Sequence, residues 1–173
     1  MGEIIFTTPH GSRLYGLAHA GSDHDRFTVF ADKRRVRQRT DGNDDQVTMG
    51  LDSFLQLAYS GSHQSVEALF SKQKEWGPAG EMYAPMLNNI RIGGPDVLRK
   101  YSRTIKSFCY GDFKRRRHAV RLTFNSNELS RTGTIERVTL TESRARMATK
   151  LAEQFEGDSL LALLLTSHSR SWT

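Results

Sequence analysis

GSRLYGLAHAGSDHDRF, residues 11–27, opens on a glycine-serine pair, runs through ten further residues of mostly small and turn-prone type, and closes on two aspartates one position apart. On its N-terminal side stands Glu3-Ile4-Ile5-Phe6-Thr7-Thr8, β-branched and aromatic, too short for a helix and stopped by Pro9. Such a run predicts a strand. On the other side Arg26 to Ala31 alternates with a period of two, placing Phe27, Val29 and Ala31 on one face and Thr28 and Phe30 on the other. A third β-branched run, Asp45-Gln46-Val47-Thr48-Met49, follows the polar stretch from Lys33 to Asn43. The order of strand, Gly-Ser turn, Asp-x-Asp and strand predicts a small mixed β-sheet.

The chemistry of the stretch starts from repulsion. Two carboxylates at i and i+2 on an extended chain, Asp23 and Asp25, point to the same side. Like charges that close are unfavourable unless a cation lies between them. Mg²⁺ or Mn²⁺ is the natural partner, since a hard divalent ion takes one or two protein carboxylates together with substrate phosphates. Gly11 lets backbone come close to a phosphate, and the Ser12 hydroxyl can donate to it. A phosphate cradle beside a metal-binding acid pair describes a phosphoryl-transfer site. The plain alternative is a turn followed by a solvated loop.

Gly11, Ser12, Gly16, Ser22, Asp23 and Asp25 stand where the DNA polymerase beta superfamily of nucleotidyltransferases carries its signature, and the stretch resembles it. The Gly-Ser-Arg-Leu-Tyr-Gly-Leu-Ala wording is similar to that of nucleotidyltransferases associated with RNA ligases in bacteria and bacteriophages. Leu51 to Phe70 and Lys114 to Gly133 resemble that group's helical segments, so about two thirds of the chain is covered. The resemblance implies a nucleotidyltransferase core with three carboxylates holding Mg²⁺ or Mn²⁺, and an NTP as co-substrate. Asp45 is the expected third acid, with Asp44 and Asp52 as alternatives. His24, between the two aspartates, departs from the apolar residue usual there and is expected to face solvent.

Helical signals dominate from Asp52 onward. Asp52 reads as an N-cap before Phe54, Leu55, Leu57 and Ala58, and a short helix is expected from Ser65. Pro95 starts a helix carrying Val97, Leu98, Tyr101, Ile105 and Phe108. Further helices are expected over Asp112–Ser130, from Thr141 to Gly157, and from Asp158 through Leu165. The fold class is therefore α+β: a sheet core over residues 1–72, and a helical region over 73–173 packed against it.

Lys114, Arg117, His118 and Arg121 fall at i, i+3, i+4 and i+7, one stripe of a helix. Their mutual repulsion would be relieved by an anion. The resemblance places Lys114, His118 and Arg121 over the triphosphate. Arg115 and Arg116 point elsewhere, toward solvent or a nucleic acid. Arg13 could meet a phosphate or the acids of the third strand. Glu67, among apolar neighbours, reads as a buried paired acid or a helix-face charge, and Trp76 and Tyr83 as core packing or base stacking.

Composition agrees with an anionic partner. The 173 residues carry 25 Lys plus Arg against 19 Asp plus Glu, a net charge of +6 and a pI near 9.7. Such a surface gains from counterion release on nucleic acid. Cys109, the single cysteine, excludes an intrachain disulfide and a cysteine metal site, and reads as a buried thiol. No run approaches the roughly 18 apolar residues of a membrane span, so a cytoplasmic protein is expected, in the host cytoplasm if phage-encoded. The expected reaction moves a nucleoside monophosphate from an NTP to a hydroxyl, with RNA the preferred acceptor. Two other readings stay open: a binding module of the same fold without catalysis, and a transferase acting on a protein or small molecule.

Overall fold

A computed structural model of the chain describes residues 2–168. In chain order it contains β1 (Ile4–Pro9), α1 (Gly11–Tyr15), β2 (Arg26–Phe30), β3 (Arg37–Asp41), β4 (Asp44–Gly50), α2 (Leu51–Tyr59), α3 (His63–Phe70), β5 (Glu75–Trp76), α4 (Gly80–Asn88), α5 (Pro95–Cys109), α6 (Phe113–Thr132), α7 (Glu142–Gln154) and α8 (Gly157–His168). The class is α+β, with a mixed sheet followed by a helical C-terminal region. The sheet has the order β3-β4-β2-β1-β5. Among the described strands β2 and β4 run parallel and the other neighbours are antiparallel.

Period-two burial sets the sheet's orientation. Phe6, Phe27, Val29, Val47 and Met49 are buried on one face. Phe54 of α2 closes that face, its ring edge-on to Phe6 at 5.5 Å and to Phe27 at 5.9 Å. Such edge-to-face pairs add about 1 kcal/mol each to the area they bury.

Three elements lie outside the sequence expectation. β3 contains no apolar residue and all five of its residues are exposed. It forms because the chain reverses at Gly42, where φ is +64, and Arg37–Asp41 pairs back along β4. β5 is two residues long and pairs with β1, so the sheet reaches past residue 72. The buried apolar cluster runs unbroken from Ile5 to Leu164, across that same boundary. α4 contains Pro85 and lies between glycine-rich breaks. Asp52 is not the cap of α2: Gly50 holds that position and Asp52 sits in the first turn, where its charge still favours the helix dipole. Asp112 and Thr141 do cap, accepting the N–H of Arg115 at 2.8 Å and of Arg144 at 3.3 Å.

Helix α5 buries Val97, Tyr101, Ile105 and Cys109, one residue per turn. It packs along α6, and α7 and α8 pack on α6 in turn. From Ala119 to Ser126 every residue of α6 is buried, which makes it the central helix rather than a surface one. Among the described residues no helix is long and apolar enough to cross a membrane.

Candidate active site

The Gly-Ser turn is fixed from both ends. The His10 N–H donates to the Asp25 carbonyl at 2.9 Å, tying the exit of β1 to the entry of β2. α1 then makes a single turn closed by Gly16 at φ +71, and buries Leu14 and Tyr15. The C-terminal region grips this turn: Thr139 Oγ1 donates to the Leu14 carbonyl at 2.8 Å, and the Leu140 N–H to that of Tyr15 at 3.1 Å.

Gly11 takes φ +63, a conformation that costs a non-glycine residue roughly 1–2 kcal/mol. Space enforces the same choice, because a Cβ at Gly11 would overlap Asp25 Oδ2. The other carboxylate oxygen, Asp25 Oδ1, accepts the backbone N–H of Asp45 at 3.0 Å. One side chain thus joins the Gly-Ser turn, the Asp-x-Asp stretch and the third strand. The register explains it: Arg26 pairs with Gln46 in the parallel ladder, so Asp25 and Asp45 lie one step before it on neighbouring strands.

Asp45 is held in turn by the hairpin partner. Its carboxylate accepts Thr40 Oγ1 at 2.6 Å and Gln38 Nε2 at 3.2 Å. Neither residue stands out in the sequence; only the Asp41-Gly42-Asn43-Asp44 turn signal could have placed them. Asp44, the alternative third acid, instead accepts the His24 N–H at 2.7 Å. Among the described residues the Asp23 side chain has no hydrogen-bond partner, while its carbonyl accepts Arg13 Nε at 2.9 Å. Arg13 also donates to the Ser22 carbonyl at 2.8 Å and stands 2.7 Å from His24 Nε2. It therefore braces the Asp-x-Asp loop rather than reaching the acids of β4. His24 is exposed, as its polarity required. Among the described residues no three His, Cys, Asp or Glu side chains are grouped to hold a metal ion.

The basic stripe of α6 separates into two parts. Lys114 is exposed, but Arg121 is 1% exposed and forms a buried ion pair with Glu67 of α3. The anion that relieves Arg121 is the chain's own. Glu67 Oε1 also accepts Asn125 Nδ2 at 2.9 Å, and the Arg121 guanidinium lies 3.6 Å from the Tyr15 ring centroid. Burial pushes the Glu67 carboxyl up, but the charges of Arg121 and His63 and the hydrogen bonds from Arg121 and Tyr15 together outweigh it, and the group ends below its ordinary value. His118 accepts from Arg121 Nε at 3.3 Å through Nδ1 and packs edge-on to Tyr15. Burial, then the charges of Arg121, Arg117 and Lys114, hold its pKa down to about 2. His118 is therefore neutral and half-buried, and Arg121, enclosed with Glu67, does not stand on an open phosphate-facing surface. Arg116 is committed as well, donating to the Ala152 and Gly111 carbonyls.

His10 is buried between Tyr15 and Phe27, with Nδ1 unpartnered among the described residues. Trp76 is partly exposed, its ring edge-on to Phe6 at 5.8 Å. Tyr83 packs against the core. No protein-family model matches the chain, and no curated protein matches it.

Proposed function

We propose that this protein is a metal-dependent nucleotidyltransferase that moves a nucleoside monophosphate from an NTP onto a hydroxyl of RNA, releasing pyrophosphate. The observation that carries the reading is Asp25, packed against Gly11 on one carboxylate oxygen and bound to the Asp45 backbone on the other. That contact gives the glycine a reason and brings two acids from neighbouring parallel strands together. Asp25 and Asp45 offer two hard oxygen donors, the number Mg²⁺ takes from protein when phosphates supply others. The ion would supply Lewis acidity to the phosphates and acidity to the acceptor hydroxyl. In this reading Asp23, whose backbone carbonyl accepts from Arg13, would add a third donor.

In this reading Gly11 and Ser12 meet the β- and γ-phosphates, and Lys114 offsets their charge. The acceptor oxygen attacks the α-phosphorus, the bond to the bridging oxygen breaks, and the electron pair leaves with pyrophosphate. Asp45 takes the hydroxyl proton. Arg121 and His118 support the site through Tyr15 rather than by touching phosphate.

One observation favours a second reading, nucleic-acid or nucleotide binding without catalysis: the Asp45 carboxylate is turned to Thr40 and Gln38. A single experiment separates the readings. The protein is incubated with each α-labelled NTP, Mg²⁺ or Mn²⁺, and RNA, protein or small-molecule acceptors. Label on RNA that disappears in Asp25→Asn, with the variant's circular dichroism unchanged, supports the transferase. Label on protein or a small molecule redirects the acceptor, and no label anywhere removes the enzyme reading.

A further inference from the structure

Lys33-Arg34-Arg35-Val36-Arg37-Gln38-Arg39 places five basic residues in seven positions with no acid among them. Most of its charge is unpaired among the described residues, unlike that of Arg116 and Arg121 on α6. Arg34 pairs with Asp32 at 2.6 Å, but Lys33, Arg35, Arg37 and Arg39 are exposed and have no ion-pair partner among the described residues. Arg26, on β2, is likewise exposed and unpaired.

Strand register brings these side chains to one surface. Arg26 pairs with Gln46, and Gln46 with Arg39; one step on, Thr28 pairs with Thr48, and Thr48 with Arg37. Directly paired residues share a face of the sheet. Phe27, Val29, Val47 and Met49 occupy the face closed by Phe54, so these two rows stand on the opposite face. Strands lie about 4.8 Å apart, which places Arg26 and Arg39 about 10 Å from each other across Gln46. Phe30 shares this face, and the Arg34 guanidinium lies 3.4 Å from its ring centroid. A guanidinium held on an aromatic ring offers a plane on which a base can stack. Acids confine the cationic area: Asp41 and Asp44 stand at its hairpin end, and Glu75 beyond Thr7.

We propose that this open sheet face binds a single-stranded polynucleotide through its phosphates, with Arg26, Arg37 and Arg39 as the contacts and Lys33 and Arg35 extending the track. Arginine suits phosphate because its planar fork donates two parallel hydrogen bonds. Threonine and glutamine between the arginines leave donors and acceptors for sugar or base edges. The row Arg26-Gln46-Arg39 lies one residue along from Asp25, Asp45 and Thr40, whose side chains therefore take the other face, so a strand held here reaches the candidate site only by passing around this end of the sheet. The inference rests on the reading above only in making that strand the acceptor; binding itself requires no catalysis.

The test measures fluorescence anisotropy of a labelled 20-nucleotide uridine oligomer in EDTA without nucleotide, from 50 to 300 mM salt, with a thymidine oligomer of equal length in parallel. In Arg26→Gln/Arg37→Gln/Arg39→Gln the slope of log affinity against log salt should shrink by about 2, since each lost phosphate contact contributes about 0.7 on a single strand. Near 0.1 M salt that equals an affinity loss of about 100-fold. Arg37→Gln/Arg39→Gln, confined to the edge strand, should shrink the slope by about 1.4 and serves if the triple variant misfolds. A charge-matched control on α5, Arg99→Gln/Arg103→Gln/Lys106→Gln, should stay within about threefold of the parent. The proposal is overturned if the control loses as much as the triple variant, or if polyglutamate displaces the oligomer as well as unlabelled RNA does. Equal binding of uridine and thymidine oligomers supports phosphate recognition and makes the acceptor's sugar a choice of the catalytic site. Oligomer binding by a parent protein that transfers no label would fail the enzyme reading alone, whereas transfer with an unchanged salt slope in the triple variant would fail this one alone.

Discussion

Asp25 meets Asp45 at the backbone: Asp25 Oδ1 accepts the Asp45 N–H at 3.0 Å, while the Asp45 carboxylate turns to Thr40 and Gln38. The parallel pairing of β2 with β4 makes this contact available, and it orients Asp25 whether or not a cation is bound. Because the opposite oxygen lies against Gly11, the carboxylate has little rotational freedom. An orientation set in advance favours binding, since less motion is lost when a ligand arrives.

Gly11→Ala should destabilise the protein by about 2–4 kcal/mol, combining left-handed backbone strain with overlap against Asp25 Oδ2. In an Asp25→Gly background the overlap disappears and only the backbone cost remains, about 1–2 kcal/mol. Urea denaturation of the four proteins of that cycle reads the coupling directly. An additive result would show that Gly11 and Asp25 do not meet.

Glu67 and Arg121 form a pair in which each partner is almost fully buried. Removing one charge leaves the other uncompensated, so Glu67→Gln or Arg121→Met should each cost about 3–5 kcal/mol. Glu67→Gln combined with Arg121→Met should recover a large part of that loss, because no buried charge then remains. Denaturant midpoints with unchanged m-values decide it. Full additivity of the two single losses would mean that the residues do not neutralise each other.

Legibility in the sequence followed residue type and local period. β1 could be read because it is a β-branched and aromatic run too short for a helix, β2 and β4 because apolar residues alternate in them, and α5 because Val97, Tyr101 and Ile105 recur once per turn behind Pro95. β3 could not, since Arg37 to Asp41 holds no apolar residue and exists only by pairing with β4. Gly11, Ser12, Asp23 and Asp25 were visible as a spacing, but the contact between Gly11 and Asp25 needs the fold. Arg121 misled for a physical reason. Helical spacing groups it with Lys114, yet its partner lies 54 positions earlier on α3. Glu67, an acid in an apolar run, was the available sign of that burial.

Cys109 is fully buried, and burial lifts its thiol pKa to about 11. The thiolate is the reacting species, so the native protein should label negligibly with an aromatic disulfide at pH 8 and at once in 6 M urea. Labelling kinetics at intermediate urea then report the opening of α5. Rapid native labelling would contradict the packing of α5 on α6.

Acid should unfold the protein earlier than its carboxylates alone would. His10, His63 and His118 all have folded pKa values below the ordinary 6.5, burial being the main cause in each, and His118 falls to about 2. A base with a depressed folded pKa favours the folded state above 6.5. Below 6.5 the unfolded chain takes up protons that the folded chain refuses, and stability declines as pH falls toward the folded values. His118, with its folded value far below this range, contributes a slope of about 1.4 kcal/mol per pH unit once the unfolded form is protonated, and His10 and His63 add in the same direction. The groups facing His118 explain why it cannot escape: Arg121, Arg117 and Lys114 oppose its charge, His63 adds to them, and Tyr15 covers the ring. The Glu67 carboxyl, also lower in the fold than outside it, adds its own loss only at more acid pH, below its ordinary 4.5. Urea midpoints measured every half unit should therefore fall from pH 6.5 to 5, before the carboxylates titrate. His118→Gln should flatten that fall by about 1.4 kcal/mol per unit while keeping the pH dependence from His10 and His63. An unaltered slope in His118→Gln would show that His118 is protonated in the folded protein and that Arg121 does not donate to it.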